Sequence, residues 1–195
     1  MPDTIIDLIR HGEPQGGSLY RGHTIDDPLS DKGWQQMRLA VNSYAQWEHI
    51  ISSPMLRCTA FSEELSNKLS IPFEIKDNLK EVGFGSWEGF TRDQVKQRSL
   101  DEYNDFYADP VKNRPISFED INAFIERVTK TYSEIVETYK GKNILLVAHA
   151  GVIRALLANI VDAPAKGLYK IKIENAGISR INATTGEIIF INNNL

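Results

Sequence analysis

The apolar positions of this chain fall into two alternating patterns. Runs with little or no polar interruption, at residues 4–9 and 143–148, read as strands buried on both faces. Residues 49–52 read as a second short strand and residues 72–76 as an edge strand. Between these runs the spacing turns helical. Ser30 offers an N-cap to a helix over 31–44, with Trp34, Met37, Val41 and Tyr44 as its apolar stripe. Pro54 stands where a second helix, 55–69, can begin. A short helix is expected over 91–98, and the aromatic, charged segment 99–115 is expected to form a helical lid. "SFED" at 117–120 has the form of a capping box opening a long helix that ends near Tyr139, with Gly141 just beyond. Residues 152–161 make a further helix. Residues 169–174, 178–182 and 187–192 finish as strands, the last two joined at "TTG". The alternation predicts one domain over residues 1–195: a three-layer α/β/α sandwich with a mostly parallel sheet.

Composition narrows the function. With 195 residues, 42% of them hydrophobic, the chain can bury a real core. Its formal net charge is −4 and no Lys/Arg-rich run interrupts it, so nucleic acid and membrane are not expected partners. The single cysteine, Cys58, excludes an intrachain disulfide and a cysteine-built zinc cluster, and it is expected to be a packed small residue. The start, Met-Pro-Asp-Thr, has no basic or long apolar segment, so no signal peptide or membrane span is expected and the cytoplasm is the expected compartment. Nothing in the sequence sets an oligomeric state.

Two apolar strands end alike, "LIRHG" at 8–12 and "LVAHAG" at 146–151. Ligands of open α/β sheets bind beyond the carboxyl ends of strands, which is where His11 and His149 fall. The glycines after them are expected to let backbone approach whatever the histidines touch. A third strand runs into "SSPMLRC", placing Arg57 in the first turn of a helix, where the dipole disfavours a cation unless an anion lies close. Arg10, Arg57, two histidines and a helix N-terminus converging in an acidic protein suggest a phosphate pocket. Other phosphate chemistries lack their spacing: there is no G-x-x-x-x-G-K-[ST] loop, no cysteine followed by an arginine phosphate loop, and no D-x-D after a strand. No metal site is expected, because the histidines form no local ligand motif and neighbouring arginines repel a cation.

"RHG" at 10–12, "SSPMLRC" at 52–58, "EVGFGSWEG" at 81–89 and "HAG" at 149–151, in this order, resemble the histidine phosphatase superfamily, also called phosphoglycerate-mutase-like. The resemblance implies His11 as a phosphoryl-accepting nucleophile, with Arg10, Arg57 and His149 as the phosphate clamp. It implies Glu81 as the proton donor to the leaving oxygen, Glu88 being the rival, with Glu13 holding a loop and Ser53 supporting the pocket. One position departs: Gly17 stands where many relatives place an asparagine that contacts phosphate. Either a backbone N–H substitutes, or a ligand is lost and Arg21 compensates. The motif after Glu81 resembles the phosphatase branch, and the overall look is most similar to α-ribazole phosphatase-like proteins of cobamide synthesis. That implies a metal-independent, cofactor-free phosphomonoesterase acting on a small molecule such as α-ribazole 5′-phosphate. Tyr20, Phe84, Trp87 and the Tyr103–Tyr107 aromatics are candidates to stack on a base, or equally to pack in the core or lid. A mutase, a non-catalytic binder of phosphorylated ligands and a phosphohistidine-protein phosphatase remain alternatives.

Overall fold

The computed structural model describes residues 2–42 and 46–193. In chain order its regular elements are β1 (Ile5–Arg10), α1 (Asp31–Ala40), β2 (His49–Ser52), α2 (Leu56–Leu69), β3 (Phe73–Ile75), α3 (Arg92–Arg98), α4 (Leu100–Ala108), α5 (Ile121–Thr138), β4 (Asn143–Ala148), α6 (Ala150–Ile160), β5 (Ile178–Asn182) and β6 (Glu187–Asn193). The strands form a six-stranded sheet ordered β3-β2-β4-β1-β5-β6. The first four are parallel, and β5 and β6 add an antiparallel hairpin at one edge.

Period-two alternation divides the central strands between two cores. Leu145 and Val147 of β4 face α1 and α2, meeting Met37, Cys58, Phe61 and Leu65. Ile144, Leu146 and Ala148 face α5 and α6, meeting Phe124, Val128, Val152 and Leu156. That gives the expected three layers. Cys58 is fully buried in the first core, as a packed small residue should be.

Three expectations shift. The long helix begins at Ile121 rather than Ser117, because the Asp120 carboxylate caps the amides of Asn122 and Ala123. Glu119, the third letter of the box, is held instead by Arg127 at 2.7 Å. Residues 169–174 are no strand: a 3₁₀ turn covers Ala165–Lys170, and the following carbonyls of Ile171, Lys172 and Ile173 accept from the side chains of Arg154, Asn192 and Arg10. Side chains take the acceptors that a neighbouring strand would need. Helix α1 ends at Ala40, and Tyr44 lies outside the described residues. Segment 99–115 does carry a helix, α4, whose Phe106 is fully buried against Trp87, Phe118 and Tyr169.

The glycine after His11 serves the fold. A Cβ on Gly12 would stand 2.3 Å from the Gly33 carbonyl oxygen of α1, and one on Gly33 would stand 2.1 Å from the Glu13 carbonyl. The β1 exit and α1 touch backbone to backbone, so Gly12 admits a helix rather than a ligand. Gly12→Ala is therefore expected to lower the unfolding free energy by about 1–3 kcal/mol, read as a lower urea midpoint. An unchanged midpoint would show that α1 can withdraw.

Candidate active site

Neighbouring parallel strands bring the two histidines together. Arg10 pairs in register with Ala148, and the His11 amide continues the ladder by donating to the Ala148 carbonyl at 3.0 Å. His11 and His149 each begin just beyond that pair, and their ring centroids lie 5.2 Å apart. The His11 Nδ1 donates to the Gly12 carbonyl at 2.8 Å. A carbonyl only accepts, so Nδ1 carries the proton and Nε2 keeps its lone pair. Asn175 holds the His11 carbonyl from the other side, its Nδ2 donating at 3.2 Å.

The β2 exit supplies the next groups. The Ser53 amide donates to the Val147 carbonyl at 2.9 Å, and the Ser53 hydroxyl meets His149 Nε2 at 2.6 Å. Arg57 follows in the first turn of α2, 1% exposed, its Nη atoms donating to the carbonyls of Gly22 and Ile25. Its nearest carboxylate is Asp26, at 3.9 Å. Arg10 donates through Nη1 to the Ile173 carbonyl at 2.7 Å. Four buried side-chain polar atoms among the described residues have no protein partner: Arg10 Nε, Arg57 Nε, His149 Nδ1 and the Tyr169 hydroxyl. They belong to one neighbourhood, where partnerless buried groups each cost about 1–3 kcal/mol unless a ligand meets them.

Burial sets the charges of the site. It lowers the Arg10 pKa to about 10 and that of Arg57 as well. Burial first, then Arg57 and Arg10, holds His11 well below the ordinary imidazole value. His149 is lowered the same way, by burial, then Arg57, then His11. Both rings are neutral near pH 7 in the free protein. Burial also pushes the Cys58 thiol up to about 12, so at 3.8 Å from His149 Nε2 it remains a protonated, inert neighbour.

Glu81 reaches the site from the loop before α3. Its Oε1 accepts from the Val82 amide at 2.9 Å and its Oε2 from the Gly151 amide at 3.1 Å. A Cβ at Gly151 would stand 2.2 Å from Glu81 Oε1, so the glycine of "HAG" makes room for this carboxylate. Arg127 fixes the loop from behind, bonding the carbonyls of Asn78, Lys80 and Glu81 while gripping Glu119. Glu88 is taken up elsewhere: it accepts from the Phe84 amide at 2.8 Å and from Thr24, tying two loops together. Only Glu81 of the two lines the cleft.

That cleft, of about 180 Å³, is bounded by Arg10, His11, Arg57 and Glu81, with His149 packed behind and 0% exposed. Gly17 lies on its rim, but its N–H donates to the Pro14 carbonyl and is not free to replace an asparagine. Arg21 also lines it, with its guanidinium on Asp27, the Gly17 carbonyl and the Gln15 carbonyl, which makes it the organiser of the loop. Glu13 binds Lys32 by its side chain, while its backbone ties to Ser30 and Gln36. The stacking expectation fails for Trp87, which is 1% exposed in the core with Tyr103 stacked on it. Tyr20 and Tyr107 do reach the cleft, their hydroxyls 2.7 Å apart. Sequence reasoning missed Arg92, Arg154, Tyr169 and Asn175. Arg154 carried a signal: it lies four residues after Ala150, on the same face of α6.

Residues 6–194 match the sequence model of the histidine phosphatase superfamily (branch 1). The adenosylcobalamin/alpha-ribazole phosphatase of Salmonella typhimurium is 27% identical over 183 residues, covering 92% of this chain and 90% of that protein. Among solved structures, YhfR of Bacillus stearothermophilus superimposes with a TM-score of 0.84 at 26% identity, covering 95% of this chain and 94% of that one. The alpha-ribazole phosphatase from Shigella flexneri does so with a TM-score of 0.83 at 25% identity, covering 97% and 96%. The chain belongs to the histidine phosphatase superfamily, and its phosphatase-named relatives make it a phosphatase.

The lowered imidazole values give the free protein a pH signature. An unfolded histidine takes up a proton near pH 6.5, whereas His11 and His149 in the fold resist it. The unfolded chain thus binds more protons, and stability falls as pH drops below about 6.5, by up to about 1.4 kcal/mol per pH unit per histidine. His149→Gln is expected to flatten the fall between pH 7 and pH 5 by close to one proton, measured by urea unfolding. An unchanged slope would mean that His149 is charged in the native state.

Proposed function

We propose that the protein hydrolyses a small phosphomonoester through a covalent phosphoryl group on His11, with no metal in the reaction. The observation that carries this reading is the proton on His11 Nδ1, which leaves Nε2 as a lone pair among partnerless guanidinium donors. The phosphate dianion docks on Arg10 and Arg57, whose charges match it, with His149 as a third donor. His11 Nε2 attacks phosphorus as the ester P–O bond breaks. Glu81 gives a proton to the leaving oxygen. Water then attacks the phosphohistidine, Glu81 takes a proton from it, the N–P bond breaks, and phosphate leaves with His11 neutral again.

Charge stabilisation supplies most of the acceleration in such transfers, and every fixed cation here is in place before substrate arrives. General acid catalysis adds about 10²–10⁴-fold where the leaving group needs a proton. Helix α4 closes one side of the cleft through Tyr107, which supports its reading as a lid tethered at Phe106. The names of the relatives make α-ribazole 5′-phosphate the first ester to test. No helix among the described residues is long and apolar enough to cross a membrane, and a cytoplasmic location fits a chain with one buried thiol.

His11→Ala is expected to abolish release of phosphate from p-nitrophenyl phosphate in EDTA; substantial turnover by the purified variant would refute the nucleophile. Glu81→Gln is expected to lower kcat/KM, which reports the first phosphoryl transfer, roughly 10²-fold or more for alkyl phosphates while sparing kcat/KM for p-nitrophenyl phosphate, whose leaving group needs no proton. Equal losses on both esters would remove Glu81 as the donor.

A further inference from the structure

The cleft holds more positive charge than a phosphate ester uses. Arg10 and Arg57 already match the dianion. Beyond them Arg92, at the start of α3, and Arg154, on α6, line the same cleft. Arg21, on the cleft lining, holds Asp27, and elsewhere Arg38, Arg114, Arg127 and Arg180 each hold a carboxylate. Arg92 and Arg154 have no carboxylate within salt-bridge distance among the described residues. Arg154 is oriented all the same: Nε donates to the Ile171 carbonyl at 2.7 Å, and the guanidinium lies 5.5 Å from the Tyr169 ring centroid. Its terminal nitrogens are thereby left for another acceptor. The Tyr169 hydroxyl, on the same wall, is buried without a partner. The two guanidinium groups also press on Arg10, helping to lower its pKa, so all three share one electrostatic site. Such repulsion, held by the fold, is relieved by a second anion.

We propose that the natural substrate carries a second anionic group, a carboxylate or another phosphoryl, on its leaving side, gripped by Arg92, Arg154 and the Tyr169 hydroxyl. This rests on the hydrolase reading above and specifies its substrate class. It also sets this chain apart from a hydrolase for an uncharged nucleoside phosphate, which would offer the exposed Arg92 and the half-buried Arg154 no anion to meet. The cleft lining that carries these guanidinium and hydroxyl groups also includes Tyr20, Phe84 and Tyr107, while Trp87, the largest aromatic of the region, is buried away from it.

The test uses two matched pairs of esters. One compares 3-phosphoglycerate with glycerol 3-phosphate, which replaces carboxylate by hydroxymethyl. The other compares propane-1,3-diol bisphosphate with its monophosphate. The charged member of at least one pair is expected to have a kcat/KM roughly 10–100-fold higher, the range two charge-assisted contacts support. The pair that shows it tells carboxylate from phosphoryl. Arg154→Gln and Arg92→Gln are each expected to reduce that ratio about tenfold, and Arg154→Lys to restore part of it. Ratios near one in both pairs, or ratios that neither substitution moves, would overturn the second-anion site while leaving the hydrolase standing. Failure to hydrolyse any of the four esters or p-nitrophenyl phosphate would overturn the hydrolase reading, and this inference with it.

Discussion

The structure turns on two guanidinium groups, that of Arg57 buried and that of Arg10 half-buried, without carboxylates in direct contact. Arg10 and Arg57 are fixed by main-chain oxygens, from Ile173 in one case and from Gly22 and Ile25 in the other. Carbonyls orient a cation without neutralising it. Taking an unpaired ion out of water costs several kcal/mol, so the arrangement persists only because the surrounding elements over-determine it. Its consequence is chemical: burial first, and then the same field, keeps both imidazoles neutral.

Much of the remaining architecture holds that cluster in place. Parallel pairing of β1 with β4 sets the separation of the histidines. The contact of Gly12 with Gly33 brings α1 against the turn that carries His11, and Gly151 opens the start of α6 to Glu81. Arg127, on α5, and Glu119, just before that helix, clamp the loop that carries Glu81, and neither lines the cleft. Loops carry the chemistry, and the sheet and its flanking helices fix their exits.

What could be read in the sequence follows the range of the interactions. His11, His149 and Arg57 were legible because strands announce themselves by unbroken apolar runs and their ends are local features. Gly12 was legible as a constraint but misread in kind, since the surface it admits belongs to a helix twenty residues on. Residues 169–174 looked like a strand by composition, yet side chains from three distant elements take their carbonyls. The hold of Arg127 on Glu119 and the convergence of Arg92 with Arg154 depend on tertiary placement, which no local pattern encodes. The aromatic cluster was visible, but which rings face the cleft is decided by packing: Trp87 turned inward and Tyr107 did not.

The central claim is that phosphoryl groups pass through one nitrogen atom of His11. Rapid acid-free quenching during turnover, followed by peptide mapping and ³¹P NMR, tests it directly. The account predicts an acid-labile, alkali-stable phosphoryl group on Nε2 of His11, formed and discharged at rates that match phosphate release. Steady phosphate release with no phosphorus on the protein, or with the label on any other residue, would contradict it.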